Sequence, residues 1–520
     1  MSNNKETVTA VIIGGGIGGL ATATILAKAG VEVSLYEKND RVGGRAGILE
    51  VDGFTFDTGP SWFLMPEVFE HFFSLIGEDM HSVLDLKKLE PAYKVIFEED
   101  IHSPLIITGD EAKDTQTFDA IEPGSGSALT TYIDRSEETY KLATETFLYT
   151  NFRGYVPFMK PNIIKRLPRM AAMGLRTINS YVSSYVQDEK LKKILQYPMV
   201  FLGTSPYSAP ALYQLMSYLD FRQGVFYPQG GMYTIIDAIA KKASKLGVEI
   251  HSSSPVKQIL TSNSKATGIQ LEDGTTVQAD IIISNADLHF TETKLLPKEV
   301  QTYPEKYWGK KTASPGAILF YLGVKGAVPE LKHHTLLFTK DWKHNFDSIF
   351  KTKQYPHPAS IYICRASATD KTVAPKGHEN IFILVPVPAD ETISKEDTAE
   401  HAERYLDQII DMTGIKNLRE RIVYKKVVGP ADFADDLNAW HGSALGLAHP
   451  LLQSALWRPQ NKSKKLRNLY YVGGNTIPGI GLPMCLISSE LIYKHLTNDN
   501  SAGPIESIEQ IRNGDQNVAI

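Results

Sequence analysis

The sequence predicts an α/β fold (α+β overall), and three observations near its start predict it. Residues 8–13 are a short apolar, β-branched run, which is typical of a buried parallel strand. A turn with the spacing G-x-G-x-x-G and an Ala/Leu-rich helix follow, and the glycines of the turn are Gly14, Gly16 and Gly19. A second strand, residues 31–36, ends at Glu37. Strand, turn, helix and strand in this order predict a Rossmann-like domain.

Each glycine of this turn has a separate physical task. Gly14 lets the chain turn, Gly16 lets the backbone approach a pyrophosphate, and Gly19 lets the helix pack on the strand. The N-terminus of the helix attracts the phosphate charge. Glu37 stands where an acid meets a ribose hydroxyl in such domains. The motif therefore predicts a bound dinucleotide and leaves its identity open.

Length and composition limit the class of protein. At 520 residues the chain is too long for one ordinary domain, and 42% apolar with 22% charged residues is typical of a globular protein. A net charge of −5 gives no reason to expect nucleic acid. Cys364 and Cys485 lie far apart in the sequence, so we expect neither a disulfide framework nor a metal site. With no signal peptide and no apolar run of ~18 residues, we expect a cytoplasmic protein.

The order of motifs predicts a nucleotide-binding domain that is interrupted twice. Residues 111–225 have a helical pattern, and residues 291–425 mix strands with a polar helix. Alternating strands and helices occupy the rest, so we predict that the nucleotide-binding domain consists of 1–110, 226–290 and 426–496. The helical and strand-rich segments then form a substrate domain. The polar residues 497–520 are predicted to be a flexible tail.

A second glycine-rich turn lies near the C-terminus. Residues 469–472 form a predicted strand, Gly473 and Gly474 end it, and a predicted helix begins at Cys485. A turn between a strand and a helix presents backbone N–H groups and a helix N-terminus to an anion. Two such turns at opposite ends of the chain suit a cofactor with a long, extended body.

The continuation of the first motif resembles a known family. Glu37 is followed by Gly43-Gly44-Arg45, a combination that resembles FAD-dependent amine oxidases, carotenoid desaturases and their relatives. The resemblance implies bound FAD and the amine-oxidase type of flavoprotein fold, in which the nucleotide domain interleaves with the substrate domain. It implies that FAD is bound by Gly14, Gly16, Gly19, Glu37, Lys38, Gly44, Arg45, Pro60, Ser61, Val256, Asp287, Gly474, Asn475, Gly481, Leu482, Pro483 and Met484.

Motifs in the later chain narrow the resemblance to bacterial phytoene desaturases. They include Asp432-Phe433, residues 437–444, Gln453-Ser-Ala455 and Arg458-Pro459. The resemblance implies an oxidoreductase of carotenoid biosynthesis that desaturates phytoene to lycopene or to a less desaturated carotene. The C-terminal turn departs from the family pattern, because Ile477 stands where many members have histidine.

Several alternatives stay open. Within the family they are a C30 dehydrosqualene desaturase, a carotenoid oxidase and a carotene isomerase. From other classes, an amine or amino-acid oxidase shares the first motif, and a non-enzymatic prenyl-lipid escort shares the fold. Carbon number, number of desaturations, product geometry and oligomeric state are not determined by the sequence.

Desaturation of a polyene removes a hydride and a proton from adjacent carbons. A flavin accepts the hydride, and the protein must hold the hydrophobic polyene (a phytoene-like substrate) in a water-free apolar channel. Arg153 matches a family position suspected of acting near the flavin, and His441 is a second candidate for a catalytic role. The sequence has no second fingerprint for a nicotinamide, so quinone or dioxygen is the expected electron acceptor.

Residues 153–193 predict contact with a membrane surface. They contain nine Lys or Arg and two acidic residues, a local excess of seven positive charges. Apolar side chains alternate with these cations, as in a basic amphipathic segment that lies on anionic lipid. Because a carotenoid precursor resides in lipid, we expect the protein to associate peripherally with the membrane.

Overall fold

The computed structural model describes residues 7–152 and 166–511 of the chain. The strands of this part are β1 Thr9–Ile13, β2 Glu32–Tyr36, β3 Ile48–Val51, β4 Phe54–Asp57, β5 Leu86–Lys88, β6 Tyr93–Phe97, β7 Asp100–Ile107, β8 Phe226–Pro228, β9 Glu249–His251, β10 Val256–Ser262, β11 Lys265–Leu271, β12 Thr276–Gln278, β13 Ile281–Ser284, β14 Gly316–Lys325, β15 His334–Phe338, β16 Ile361–Cys364, β17 His378–Val387, β18 Ile422–Val428 and β19 Leu469–Tyr471.

The α-helices of the described residues are α1 Ile17–Lys28, α2 Pro66–Ile76, α3 Met80–Val83, α4 Glu111–Ile121, α5 Ser125–Leu142, α6 Leu167–Leu175, α7 Ile178–Val182, α8 Glu189–Gln196, α9 Met216–Tyr218, α10 Tyr233–Lys245, α11 Leu288–Phe290, α12 Glu305–Trp308, α13 Trp342–Asp347, α14 Lys395–Thr413, α15 Leu418–Arg421, α16 Pro430–Leu437 and α17 Leu482–Leu496. None of these described helices is both long enough and apolar enough to cross a lipid bilayer.

A five-stranded sheet in the order β19-β13-β1-β2-β9 forms the nucleotide-binding layer. Its four strand pairs are all parallel, which confirms the predicted α/β class. Ile12, Leu35 and Ile283 on its central strands are completely buried, because helices α1 and α17 cover their face of the sheet. The other face packs against the three-stranded antiparallel sheet β10-β11-β12. The strands come from three stretches that are far apart in the sequence, so the sheet assembles only when these stretches meet.

A seven-stranded sheet in the order β18-β14-β17-β16-β15-β6-β7 forms the second layer. It is mixed, because β6 pairs with β15 in parallel and the other neighbours are antiparallel. This arrangement differs from the predicted domain boundary at residue 110. The strands β6 and β7, which lie before that residue, extend the edge of the second sheet and take no part in the nucleotide-binding sheet.

The end of the described chain is packed, in contrast to the flexible tail predicted from residue 497. Ile505 and Ile511 are buried against the nucleotide-binding core, and the Ile511 N–H donates to the carbonyl oxygen of Ala29 at 2.8 Å. Lys494 of α17 is also buried, and its ammonium donates to the carbonyl oxygen of Ser501 at 3.2 Å. The polar composition of this segment concealed the few apolar side chains that fasten it. Residues 512–520 lie outside the described residues.

Two helices begin earlier than the sequence predicted. The helix expected from Leu20 begins at Ile17, and the helix expected from Cys485 begins at Leu482. Both starts fall inside glycine-rich turns, where composition argues against helix. Pro483 is tolerated in the first turn of α17 because the N–H that proline lacks would have no partner within the helix.

Candidate functional site

One continuous cavity of about 1390 Å³ connects the two glycine-rich turns. Sites for drug-sized ligands typically occupy roughly 300–1,000 Å³, so this cavity has room for a dinucleotide and for a second ligand. Every residue predicted to bind FAD within the described chain lines the cavity, except Gly19. The structure therefore brings together residues from all three predicted segments of the nucleotide-binding domain.

Glu37 fastens the first glycine turn. Its Oε2 accepts the backbone N–H of Gly15 at 2.7 Å, and its Oε1 accepts the backbone N–H of Asn39 at 2.9 Å. Gly14 has a φ of +95°, a region that favours glycine, and its N–H donates to the carbonyl oxygen of Tyr36 at 2.8 Å. The carboxylate thus holds the shape of the turn while it lines the cavity.

Gly19 has the packing role that the sequence assigned to it. A Cβ at this position would lie 2.1 Å from the carbonyl oxygen of Gly14. Because no side chain fits this space, only glycine lets the start of α1 approach the end of β1 so closely. Gly19 supports the turn from behind and does not face the cavity.

A further glycine turn, Gly43-Gly44, lies directly against the first turn, which contains Gly14, Gly16 and Gly19. The Gly43 N–H donates to the carbonyl oxygen of Gly15 at 2.9 Å. A Cβ on Gly44, whose φ is +56°, would lie 3.3 Å from the Cα of Gly16. The two turns therefore form one glycine-lined groove at the N-terminus of α1.

Arg45 brings a positive charge into the wall of this groove. Its Nε donates to the carbonyl oxygen of Ala444 at 2.7 Å, and a terminal nitrogen donates to that of Ser443 at 3.3 Å. Burial lowers the pKa of Arg45, and the carboxylate of Asp287 opposes that shift. A guanidinium remains protonated in proteins, so Arg45 favours an anionic or electron-rich ligand group beside it.

Asn475 and Asp287 connect the C-terminal turn to the end of β13. The Asn475 amide donates to Oδ2 of Asp287 at 3.0 Å, and its Oδ1 accepts the N–H of Leu447 at 2.9 Å. Asp287 Oδ1 accepts the N–H of His289 at 2.9 Å. These bonds place both side chains at the cavity wall and leave few polar atoms of either one for a ligand.

Arg458 holds the C-terminal turn from the interior. It is 2% exposed, and its guanidinium donates to the carbonyl oxygens of Thr476 at 3.1 Å, Gln453 at 3.2 Å and Gly474 at 2.5 Å. Burial lowers its pKa to about 10. Sequence analysis named Arg458 within a family motif without giving it this role, which only the folded turn reveals.

Asn285 belongs to the strand-end motif Asn285-Ala286-Asp287, from which only Asp287 was predicted to bind FAD. Its Nδ2 donates to the carbonyl oxygen of Gly14 at 3.3 Å. A Cβ on Gly16, Gly18 or Gly473 would lie within 3 Å of its amide group, at 2.7, 2.7 and 2.9 Å respectively. Its position at the carboxyl end of β13 is the signal that could have found it, because these ends converge at one edge of a parallel sheet.

The other predicted residues lie along the same cavity. Val256 begins β10, and Pro60 and Ser61 follow β4. Lys38 lines the cavity as well, and its ammonium donates to the carbonyl oxygen of Asp435 at 2.7 Å. This bond restrains Lys38 at the cavity and leaves its ammonium with further N–H donors.

The structure describes one of the two candidates for a catalytic role. Arg153 lies outside the described residues. His441 is exposed and has a φ of +54°, and it is not among the residues that line the cavity. Neither prediction gains a role from the structure.

Beyond the glycine turns, the cavity is enclosed by apolar and aromatic side chains. The Trp62 ring lies 5.2 Å from that of Phe201, between centroids, and stacks on His334 at 4.2 Å. Further lining side chains include Leu212, Leu319, Leu336, Phe338, Phe346 and Leu384. This part offers contact area and few hydrogen bonds, so it suits a long hydrocarbon.

The residues present fit FAD. Two helix N-termini, those of α1 and α17, face one cavity, and helix N-termini favour phosphate groups. Gly16 and Gly44 add no side chain of their own to the groove between the turns, as close approach of a pyrophosphate requires. An adjoining apolar chamber gives an isoalloxazine and a substrate a shared, dry space.

Comparison with known sequences agrees with this geometry. The profile of the family described as flavin containing amine oxidoreductase matches residues 17–491. The chain is 42% identical over 494 residues to a carotenoid 3,4-desaturase of Haloarcula japonica, covering 95% of this chain and 98% of the relative. It is 33% identical to a zeta-carotene-forming phytoene desaturase of Myxococcus xanthus, covering 95% of each chain.

Solved structures share the fold at low sequence identity. An oxidoreductase from Methanosarcina mazei has a TM-score of 0.59 at 18% identity, covering 93% of this chain and 99% of that one. A putrescine oxidase variant has a TM-score of 0.60 at 14% identity, covering 94% and 98%. At these identities the likeness extends to the fold.

Proposed function

Because the chain belongs to the flavin-containing amine oxidoreductases, we propose that it is a carotenoid desaturase that converts phytoene to lycopene or to a less desaturated carotene. The predicted family, the oxidoreductase class and the cofactor FAD are confirmed by the family match and by the relatives. The choice of phytoene is the part of the proposal that rests on sequence resemblance.

The observation that carries the proposal is the apolar chamber that adjoins the glycine-lined groove. A polyene has no polar handle, so its binding energy must come from contact with apolar walls, at roughly 25 cal/mol per Å² of buried area. An amino-acid substrate needs a partner for its carboxylate, and the Arg45 guanidinium is already bonded to two carbonyl oxygens. The chamber therefore supports a hydrocarbon substrate over an amine.

In this proposal the flavin accepts the hydride, and the protein positions the substrate and excludes water. The aromatic and aliphatic wall, with Trp62, Phe201 and Leu336, aligns the polyene and excludes water. The groove of Gly16 and Gly44 fixes the cofactor beside that wall. Excluding water protects the electron-deficient carbon that hydride removal leaves, until the adjacent carbon has lost its proton.

A second candidate is desaturation at the 3,4-position of a carotenoid that is already conjugated. The 42% identity to a carotenoid 3,4-desaturase over nearly the whole of both chains favours it. Both candidates use the same cofactor and the same kind of chamber, and they differ in which bond of the polyene is placed beside the flavin.

Pigment analysis in two bacterial hosts separates the candidates. We expect the gene to give coloured, more desaturated carotenes in a host that accumulates phytoene. If the enzyme is a 3,4-desaturase, phytoene will persist and only a host that accumulates lycopene will give a new product. Purified enzyme with bound FAD that changes neither substrate, while releasing peroxide from amines, would contradict both.

We also propose that the protein associates with a membrane, through exposed apolar side chains that include Leu175 of the predicted segment, more than through positive charge. Of the six described cations in residues 153–193, four have acidic partners: Arg169, Lys190, Lys192 and Lys193 pair with Glu138, Asp100, Glu189 and Glu99. Lys193 is in addition buried. These pairs reduce the positive charge that the segment can offer to anionic lipid. Arg153, Lys160 and Lys165 lie outside the described residues.

Exposed apolar side chains at the cavity support membrane contact instead. Leu175 at the end of α6 is 83% exposed, and Leu452, Leu456 and Trp457 are 67%, 57% and 52% exposed. Trp457 also lines the cavity. A Cβ on Gly174 would lie 4.0 Å from Leu451 Cδ1, so α6 and this turn are neighbours. An apolar rim at a cavity wall suits a lipid surface that delivers the substrate.

Sedimentation with liposomes tests this rim. We expect the double substitution Leu456→Asp and Trp457→Asp to reduce liposome binding at least tenfold while the protein keeps its FAD. Val423 is 54% exposed on β18 and belongs to no such rim, so Val423→Asp is the matched control. Equal liposome binding by the wild type and the double variant would refute the membrane surface.

For the electron acceptor we propose quinone or dioxygen, because the sequence has no second nucleotide fingerprint. Reduced enzyme should be reoxidised by a soluble quinone analogue or by air. Reoxidation by nicotinamide alone would contradict this part of the proposal.

A further inference from the structure

Two histidines and a cysteine meet in the interior behind the aromatic wall of the cavity. His334 of β15 and Cys364 of β16 are direct partners in the antiparallel register, and His333 precedes β15. All three side chains are buried. One ring nitrogen of each histidine and the Cys364 Sγ lie within 4.8 Å of one another. In the part of the chain that the structure describes, this is the group of His, Cys and acidic side chains with metal-ligand spacing.

Each histidine has one ring nitrogen engaged and one without a partner. Nδ1 of His333 lies 2.7 Å from Oγ1 of Thr369, and Nδ1 of His334 lies 2.8 Å from the hydroxyl of Tyr362. The Nε2 atoms of both rings are buried and have no hydrogen-bond partner. Buried polar atoms in this state are few in native proteins, and two in one cluster require an explanation.

Two of the three side chains, the histidines, are in the protonation state that binds a metal. Burial lowers the pKa of His333 to about 3 and that of His334 well below its usual value, so both imidazoles are neutral and each keeps a lone pair. Burial raises the pKa of the Cys364 thiol to about 12. A bound metal reverses this preference, because it stabilises the thiolate directly and the thiol proton leaves to solvent.

Charges of both signs surround the cluster. Lys332 and Arg365 adjoin it in sequence, and the Arg365 guanidinium pairs with Glu379 at 3.1 Å while its charge lowers the pKa of His333. Asp370 acts on His333 through its charge, and its carboxylate accepts the Gly230 N–H at 2.6 Å. Glu379 and Asp370 therefore offset part of the positive charge beside the cluster.

We propose that His333, His334 and Cys364 bind one divalent cation of the zinc class. Two imidazoles and a thiolate are ligands for such borderline cations, at about 2.0–2.1 Å for nitrogen and 2.3 Å for sulfur. The hydroxyls on Nδ1 orient the rings in the way that outer-shell partners of metal-bound histidines do. Binding requires the ligand atoms, which lie within 4.8 Å of one another, to move closer together around the ion.

The ion would stabilise the wall of the chamber. It links β15 to β16, and the ring of His334 stacks on Trp62 with 4.2 Å between centroids and 8° between planes. Holding His334 therefore holds Trp62, which lines the cavity. The metal has a positioning role in this proposal and takes no part in electron transfer.

The experiment uses the FAD-loaded enzyme after removal of metals by a chelator. We expect one equivalent of Zn²⁺ to bind, and Co²⁺ to give a thiolate-to-cobalt charge-transfer band. The chain has two cysteines, so the variant Cys485→Ser retains Cys364 as its only thiol. The band must persist in Cys485→Ser and disappear in Cys364→Ser, and Zn²⁺ must displace Co²⁺.

Two results would overturn the proposal. One is a folded, FAD-loaded enzyme that binds less than a tenth of an equivalent of Zn²⁺ and shows no cobalt band. The other is a band that vanishes in Cys485→Ser, which would place the thiolate elsewhere. If Cys364→Ser does not fold, the Cys485→Ser spectrum decides alone.

Discussion

The guanidinium of Arg458 donates to the carbonyl oxygen of Gly474 at 2.5 Å, inside the protein. Gly474 belongs to the turn that faces the cofactor cavity, while Arg458 is buried. Further bonds to Thr476 and Gln453 make Arg458 the internal support of this turn. A backbone that presents N–H groups to a pyrophosphate is therefore held by a side chain that never touches the ligand.

The substitution Arg458→Lys should lower both stability and FAD content. Lysine offers one compact donor group in place of a planar fork, so several carbonyl oxygens lose their partner. We expect the free energy of unfolding to fall by about 3 kcal/mol or more, because a buried network is broken. Denaturant unfolding and the flavin-to-protein absorbance ratio measure the two effects. Arg467 is exposed, so Arg467→Lys is the control and should change neither.

Glu37→Gln should weaken FAD binding without unfolding the protein. The substitution removes a charged acceptor from the N–H groups of Gly15 and Asn39, and such bonds contribute about 1.5–3 kcal/mol. FAD affinity should therefore fall roughly 10- to 100-fold in titrations of the apoprotein. Glu32 lies on the same strand and is exposed, so Glu32→Gln should bind FAD as the wild type does. Unchanged affinity in Glu37→Gln would mean that Glu37 does not control the turn.

Leu384→Trp should block the substrate chamber and spare the cofactor. Leu384 lines the cavity from β17, and the larger side chain occupies space that the polyene needs. We expect FAD content to stay normal and conversion of the carotenoid to fall at least tenfold, as measured by chromatography of extracted pigments. The matched variant Leu384→Ala enlarges the same place and should retain conversion. Full activity of Leu384→Trp would show that the substrate lies elsewhere.

Asp220 should make the protein less stable as the pH rises. It is buried, accepts bonds from Tyr93 at 2.7 Å and Tyr197 at 3.0 Å, and burial raises its pKa to about 7. Because the folded-state pKa exceeds that of the unfolded chain, the native state binds more protons between about pH 4 and pH 7. The contribution of Asp220 to stability is therefore present at low pH and is lost as the pH rises through that window.

The variant Asp220→Asn isolates this contribution. It does not titrate, so its stability relative to the wild type should increase by up to about 1.4 kcal/mol per pH unit across the window. Thermal unfolding at pH 5 and pH 8 measures the difference. The exposed Asp411→Asn provides the control and should follow the wild type at both values. A constant difference between Asp220→Asn and the wild type would contradict the raised pKa.

The local part of the site was predictable because local geometry determines it. The position of Gly14 requires a positive φ, and that of Gly19 has no room for a side chain. The spacing of glycines in the sequence is therefore enough to predict both roles. The same holds for the turn at Gly473. The role of Asn285 could not be predicted in this way, because it depends on how β13 lies between the two turns.

The pairing of strands that are distant in sequence explains the other differences between the predicted and the observed structure. The strands β6 and β7 follow the first nucleotide-binding elements in sequence, but β6 pairs with Thr335–Phe338 of β15, over two hundred residues later. His334 and Cys364 are likewise opposite each other only because β15 and β16 pair in one particular register. Spacing along the chain contains no information on such pairings, so the domain boundary and the buried cluster had to come from the structure.

The order of strands in the parallel sheet has a consequence for how this protein is made. The strand β19 completes the sheet, and α17 then packs on α1, so the cofactor groove lacks one wall until nearly the whole chain has been synthesised. Until then, the N-terminal elements around the first glycine turn expose apolar surface on the nascent chain. Such exposed surface is prone to aggregation. We expect chains truncated before residue 469 to accumulate as insoluble protein without flavin, however much of the N-terminal motif they contain.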